Sequence, residues 1–133
     1  MLVGLCVTQD STEKAAVWVR QFNIVVWWAT RVEVHGAIAR LHRSHNLTDE
    51  NKHDAVAASE ALACGWIEVL PGDEVRDAAI AVLDRYPLRA ADSLQLAAAL
   101  IWCRNRPAGK TFVCADERLC DAAAHAGFTV LRP

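Results

Sequence analysis

Residues 88–103 read Leu-Arg-Ala-Ala-Asp-Ser-Leu-Gln-Leu-Ala-Ala-Ala-Leu-Ile-Trp-Cys. The stretch is hydrophobic nearly all round at helical spacing, and its only acid, Asp92, stands near its start. A helix without a polar face must be covered on every side, so this one is expected at the centre of the fold. Following it, residues 111–114 read as a strand, 116–126 as a helix and 128–131 as a last strand. Preceding it, Ile24, Val25, Val26, Trp27 and Trp28 form a short apolar run within a strand over 23–29, of the kind buried in a parallel sheet. Residues 31–43 are helical, with Val34, Ala37, Ile38 and Leu41 on one stripe and Arg31, His35, Arg40 and His42 mostly off it. A second helix covers 48–64, with Thr48 as N-cap, Asp49 and Glu50 in its first turn and Gly65 past its end. Residues 66–70 form a strand, Pro71-Gly72 a turn, and 73–85 a helix closed before Pro87. A further helix is read over 11–22, with Glu13 early and Arg20 late.

Strands separated by helices predict an α/β fold: a three-layer α/β/α sandwich with a mostly parallel central sheet and helices on both faces. At 133 residues the chain makes one domain, 1–133, able to bury roughly two-thirds of its unfolded surface. The net charge of −2 provides no bulk basic field for indiscriminate nucleic-acid binding. The five cysteines are odd in number and scattered without a CxxC pair, which fits free thiols in a reducing cytoplasm. Cys114, Cys120 and His125 have poor metal spacing, and buried free cysteine is the better account of the first two. No signal peptide is expected, and no apolar run reaches the ~20 residues of a membrane helix. Ala108-Gly109-Lys110-Thr111 ends like a phosphate-binding loop but lacks the upstream glycine and precedes a strand. Trp27 and Trp28 are read as sheet residues, and Trp18 and Trp102 as helix packing.

In a parallel sheet the functional crevice lies beyond the carboxyl ends of the strands. Three acids fall there: Glu33 after the first strand of this reading, Asp92 at the start of the apolar helix, and Asp116 after the strand at 111–114. Each has an ordinary alternative. Asp116 suits an N-cap, Asp92 can pair with Arg89 at i, i+3, and Glu33 can reach solvent. Together, three carboxylates in one crevice repel unless protonated or neutralised by a cation. Hard oxygen donors suit Mg²⁺ or Mn²⁺, and an ion held this way activates water for attack on a phosphodiester. Arg31, Arg40, Arg43 and Arg118 are candidates for phosphate contacts, with solvated surface as the alternative for each.

Three segments carry a resemblance. Thr30-Arg31-Val32-Glu33-Val34-His35-Gly36-Ala37-Ile38-Ala39-Arg40-Leu41, residues 88–99 and Phe112-Val113-Cys114-Ala115-Asp116-Glu117-Arg118-Leu119 are similar to the segments that present the second, third and fourth acids of PIN domains. The chain resembles the VapC-like toxin ribonucleases of toxin–antitoxin pairs over nearly its whole length. That resemblance implies a Mg²⁺- or Mn²⁺-dependent endoribonuclease with Glu33, Asp92 and Asp116 holding the metal. It also implies an RNA substrate, a cognate antitoxin that blocks the site, and a homodimer.

The front departs from the family. PIN domains usually begin with a strand ending in Asp, whereas Met1-Leu2-Val3-Gly4-Leu5-Cys6-Val7 looks like the later, helical part. The first strand and its aspartate are therefore expected to be missing or replaced. Asp10-Ser11-Thr12 mimics the lost motif but lies only 23 positions before Glu33, too close for the usual intervening helices. Residues 2–7 are expected to be helical, the alternative being recruitment as a replacement strand. The competing functional reading is a catalytically impaired module that binds RNA or an antitoxin without cleaving.

Overall fold

The computed structural model describes residues 23–132. Its elements run β1 (Val25–Trp27), α1 (Thr30–Arg43), α2 (Asp49–Ala63), β2 (Ile67–Val69), α3 (Asp73–Arg85), α4 (Ala90–Trp102), β3 (Thr111–Val113), α5 (Glu117–Ala126) and β4 (Thr129–Leu131). The expected helix over 11–22, the assignment of 2–7 and the position of Asp10 lie outside the described residues.

Local chemistry accounts for the boundaries. Thr48 sits in extended backbone and its hydroxyl accepts from the Asn51 N–H at 3.2 Å, which caps α2, while Asp49 and Glu50 face the positive end of its dipole. Helix α3 starts after Pro71-Gly72 and stops at Tyr86, which Pro87 forces out of helical backbone (φ −131°, ψ 140°). At the end of α5, Gly127 takes φ 105°, the left-handed turn that lets the chain reverse into β4.

Helix α4 is the hub. Ser93, Leu96, Ala97 and Ala98 are all at most 2% exposed, and the helix packs against α3, α5, β1 and β2. Its alanines meet Trp27, Val75 and Ala79 on one side. Leu96 joins Val82, Phe112, Leu119, Ala123 and Phe128 on the other. The rings of Phe112 and Phe128 lie 5.4 Å apart and tilted, tying β3 to the turn before β4. Helices α1 and α2 pack on each other through Val34, Ile38 and Ala55, with Arg31 paired to Glu60 across the outer face.

The chain is mixed α/β, mostly helical, and its short strands are parallel. Among the described residues the strands form two two-stranded sheets, β1–β2 and β3–β4. The register pairs Val25 with Ile67 and Thr111 with Thr129. A cavity of about 310 Å³ is lined by residues of both β1 and β3. Among the described residues no backbone hydrogen bond crosses it. One correction concerns Trp102, which is 42% exposed at the end of α4, with the Lys110 ammonium 5.5 Å from its ring centre. Trp28 is likewise 48% exposed, just past β1.

Leu96, fully enclosed, is the test of the hub. Leu96→Ala is expected to lower stability by about 2–5 kcal/mol in urea unfolding. Ile80→Ala, on the solvent side of α3 and 55% exposed, is expected to change it by less than about 1 kcal/mol.

Candidate acidic site at the carboxyl ends of β1 and β3

The three acids reach one region by different routes. Glu33 lies in the first turn of α1, directly after β1, and Asp92 in the first turn of α4. Asp116 is the N-cap of α5, directly after β3. Glu33 and Asp116 share one geometry, in which a parallel strand ends, the chain turns and the next helix begins beyond the sheet edge, whereas Asp92 opens a helix that follows α3.

Their electrostatics link them. Burial raises the Glu33 carboxyl above its usual range, the Gln95 amide lowers it, and neighbouring Asp92 raises it again. Burial also raises Asp92, and the Asp116 charge adds to the rise, while the Arg89 guanidinium and backbone N–H oppose it. Asp92 is therefore the middle member, within electrostatic reach of the acid on either side. Glu33 and Asp92 are half-buried and Asp116 is exposed.

The ordinary alternatives are partly realised. Asp116 does cap its helix, accepting from the Leu119 N–H at 2.9 Å. Asp92 feels Arg89 but forms no ion pair with it among the described residues. Glu33 does not simply reach solvent, because the Gln95 Nε2 donates to its Oε2 at 2.6 Å. Among the described residues no three His, Cys, Asp or Glu side chains stand close enough together to hold a metal ion. The acids share a region and a field, while Glu33 and Asp116 each hold a protein partner.

Gln95 joins the acids as a neighbour that its sequence position alone does not assign to them. It is 7% exposed, lies one turn after Asp92 on the same helical face, and turns its amide to Glu33. Its signal was available, as the one amide side chain inside an otherwise apolar helix segment, since a buried amide needs a partner. The Thr30 hydroxyl, at the start of α1, is fully buried and has no hydrogen-bond partner.

Other candidates resolve simply. The Cys114 and Cys120 thiols are buried and touch at 2.9 Å, and burial pushes the Cys114 thiol far up. His125 is exposed and bonds the Asp121 carbonyl instead, so the three do not gather. Of the arginines, Arg31 is engaged by Glu60, while Arg40, Arg43 and Arg118 are exposed. No helix among the described residues is long and apolar enough to cross a membrane. No protein-family model, curated protein or solved structure matches the chain.

The raised carboxyls have a consequence for stability. Below pH 3.8 both acids are largely protonated, folded or unfolded, and neither opposes folding. As pH rises, the unfolded chain ionises first, around 4.5 for Glu33 and 3.8 for Asp92, while the folded chain lags. Stability is therefore lost through that window and stays lower at neutral pH. Glu33→Gln and Asp92→Asn are each expected to stabilise the fold at pH 7, with the gain shrinking as pH falls below 4. Urea unfolding at the two pH values reads this directly, and a gain independent of pH would contradict it. Gln95→Met removes the amide and is expected to raise the Glu33 midpoint further in a carboxyl NMR titration.

Proposed function

We propose that this chain is a PIN-like, divalent-metal-dependent endoribonuclease, the toxin of a toxin–antitoxin pair, hydrolysing RNA phosphodiester bonds. The observation that carries the reading is the electrostatic linkage of Glu33, Asp92 and Asp116 at the carboxyl ends of β1 and β3. A fold gains nothing from holding half-buried carboxylates against each other, so their placement asks for a cationic partner.

The donor chemistry fits Mg²⁺ or Mn²⁺, since all three groups offer hard carboxylate oxygens. Glu33, Asp92 and Asp116 are the residues that would hold the ion, which would have to draw their carboxylates closer together than they stand without it. Bound there, a divalent cation would supply positive charge for the phosphoryl oxygens and lower the pKa of a water. The protein's own part is then definable. Gln95 fixes one oxygen of Glu33 and so aims the other. Asp92, raised by burial and by the Asp116 charge, is the acid whose repulsion a bound cation would relieve most directly, and with Glu33 and Asp116 it would orient the attacking water. The exposed Asp116 marks the open side, where a strand of RNA has access. Arg118, two residues on and exposed, is placed for phosphate contact.

The same field describes the partner. A cognate antitoxin would offer a Lys or Arg side chain to the acids, relieving their repulsion as a metal does and closing the site. The competing reading, a module that binds RNA or an antitoxin without cleaving, draws on the protein partners that Glu33 and Asp116 already hold.

The test is RNA cleavage by purified protein in Mg²⁺ or Mn²⁺. Asp92→Asn keeps the side chain's shape and removes its charge, and is expected to slow cleavage by about 10²–10⁴-fold while remaining folded. Full activity in that variant would defeat the assignment. An inactive wild type that still binds an antitoxin, and loses it when all three acids are neutralised, would select the binding module instead.

A further inference from the structure

We infer that Cys114 and Cys120 are a reversible redox pair, closed to a disulfide by hydrogen peroxide, and that closure reshapes the turn bearing Asp116. The inference goes beyond the nuclease reading and does not rest on it.

The two sulfurs are already neighbours. Cys114 directly follows β3 and Cys120 lies in α5, and their thiols stand 2.9 Å apart. A disulfide holds its sulfurs at about 2.04 Å, so bonding asks for a closure of only about 0.9 Å. Both residues are nearly enclosed, at 6% and 2% exposed, among Phe112, Leu119, Ala123 and Phe128. Close packing of this kind leaves little room for a bulky external thiol, so each sulfur is the other's nearest reaction partner. The other described cysteines are differently engaged: Cys103 turns its thiol to the Leu100 carbonyl at 3.4 Å, and Cys64 is exposed.

The reaction balances within the pair. One thiolate attacks the peroxide, forming an S–O bond as the O–O bond breaks and hydroxide leaves. The second thiolate attacks that sulfur, forming the S–S bond as the S–O bond breaks and a second hydroxide leaves. The two thiol protons convert the two hydroxides to water. The sulfurs have lost two electrons and the peroxide has gained them. Burial sets the pace, because the first attack awaits a local opening at the start of α5. A reducing dithiol reverses the bond by exchange.

The consequence falls on Asp116. The ring from Cys114 to Cys120 spans seven residues, and Asp116 is among them. Both ends of the ring are held: the Cys114 N–H donates to the Leu131 carbonyl at 3.2 Å, and the Cys120 N–H to the Asp116 carbonyl at 2.9 Å. The thiols also touch the turn itself. The Cys120 Sγ lies 3.3 Å from the Cys114 carbonyl, and the Cys114 Sγ 3.7 Å from the Asp116 carbonyl. Oxidation removes both S–H donors from these carbonyls and draws the strand end toward the helix. The adjustment is taken up between them, where the Asp116 side chain caps α5 through the Leu119 N–H.

The experiment exposes the reduced full chain to hydrogen peroxide, without RNA or metal, alkylates the remaining thiols and maps tryptic peptides by mass spectrometry. Cleavage after Lys110 and Arg118 puts the two cysteines on separate peptides, 111–118 and 119–133. The expected result is a cross-link between those peptides in a chain that stays monomeric on a non-reducing gel. It is expected to vanish with dithiothreitol and to be absent from Cys120→Ser. Should that variant fail to fold, the wild type decides alone. In NMR spectra of the same samples, the Asp116 and Leu119 amide signals are expected to shift on oxidation and return on reduction, while those of Val34 and Ile38 in α1 stay in place. Thiols left free, sulfinic or sulfonic acid in place of the link, or a link from either cysteine to a third or to another chain would overturn the inference. So would a Cys114–Cys120 link that leaves Asp116 and Leu119 unmoved.

Discussion

Everything described here leans on the enclosure of α4. An apolar helix of 13 residues cannot present a wet face, so the chain surrounds it: α3 along one side, β1 and β2 along another, α5 and β3 beyond Leu96. Among the described residues no backbone hydrogen bond joins the two sheets, yet both are fixed to the same helix. That is how two short parallel pairs, too small to persist alone, hold a defined relation. It also explains the use of alanine at positions 97–99, where small side chains let strands approach the helix axis closely.

The same helix is an instrument of the site. Its first turn carries Asp92 and its next turn carries Gln95, so the burial that anchors the fold also desolvates the acid and positions the amide. The Gln95–Glu33 bond is, among the described residues, the one side-chain hydrogen bond between the α1–α2 pair and α4. Packing and chemistry are thus not separable along this helix. Its apolar surface sets where the carboxylates stand, and their mutual repulsion works against the packing that placed them.

Much of this architecture was legible in the sequence because the decisive signals were local. The limits of α3 follow from Pro71-Gly72 and Pro87, the start of α2 from Thr48, and the centrality of α4 from its uniform hydrophobicity. Glu33 and Asp116 follow β1 and β3 directly, as parallel α/β order leads one to expect, whereas Asp92 begins a helix that follows another helix. What the sequence did not disclose was non-local. The pairing of Gln95 with Glu33 spans 62 positions. Trp102 reads as packing by its type, but as the last residue of α4 it extends past the cover of the core. The relation of β1 to β3 depends on what lies between them, and no property of either strand encodes that.

The registers also carry a consequence for the order in which the chain assembles. Thr111 meets Thr129 across 18 positions, whereas Val25 meets Ile67 across 42. Closing the longer loop costs about 0.7 kcal/mol more in chain entropy, on a logarithmic scaling with length. The β3–α5–β4 unit is also self-contained, with Leu119, Cys120 and Ala123 buried against Phe112 and Phe128. It is the natural nucleus of folding, formed from contacts close in sequence. The N-terminal sheet, waiting on the α1–α2 excursion, comes later, and the gap at β1 and β3 is the last boundary to be settled. On a chain emerging from the ribosome, β1 would therefore wait for the later-made β3–α5–β4 unit.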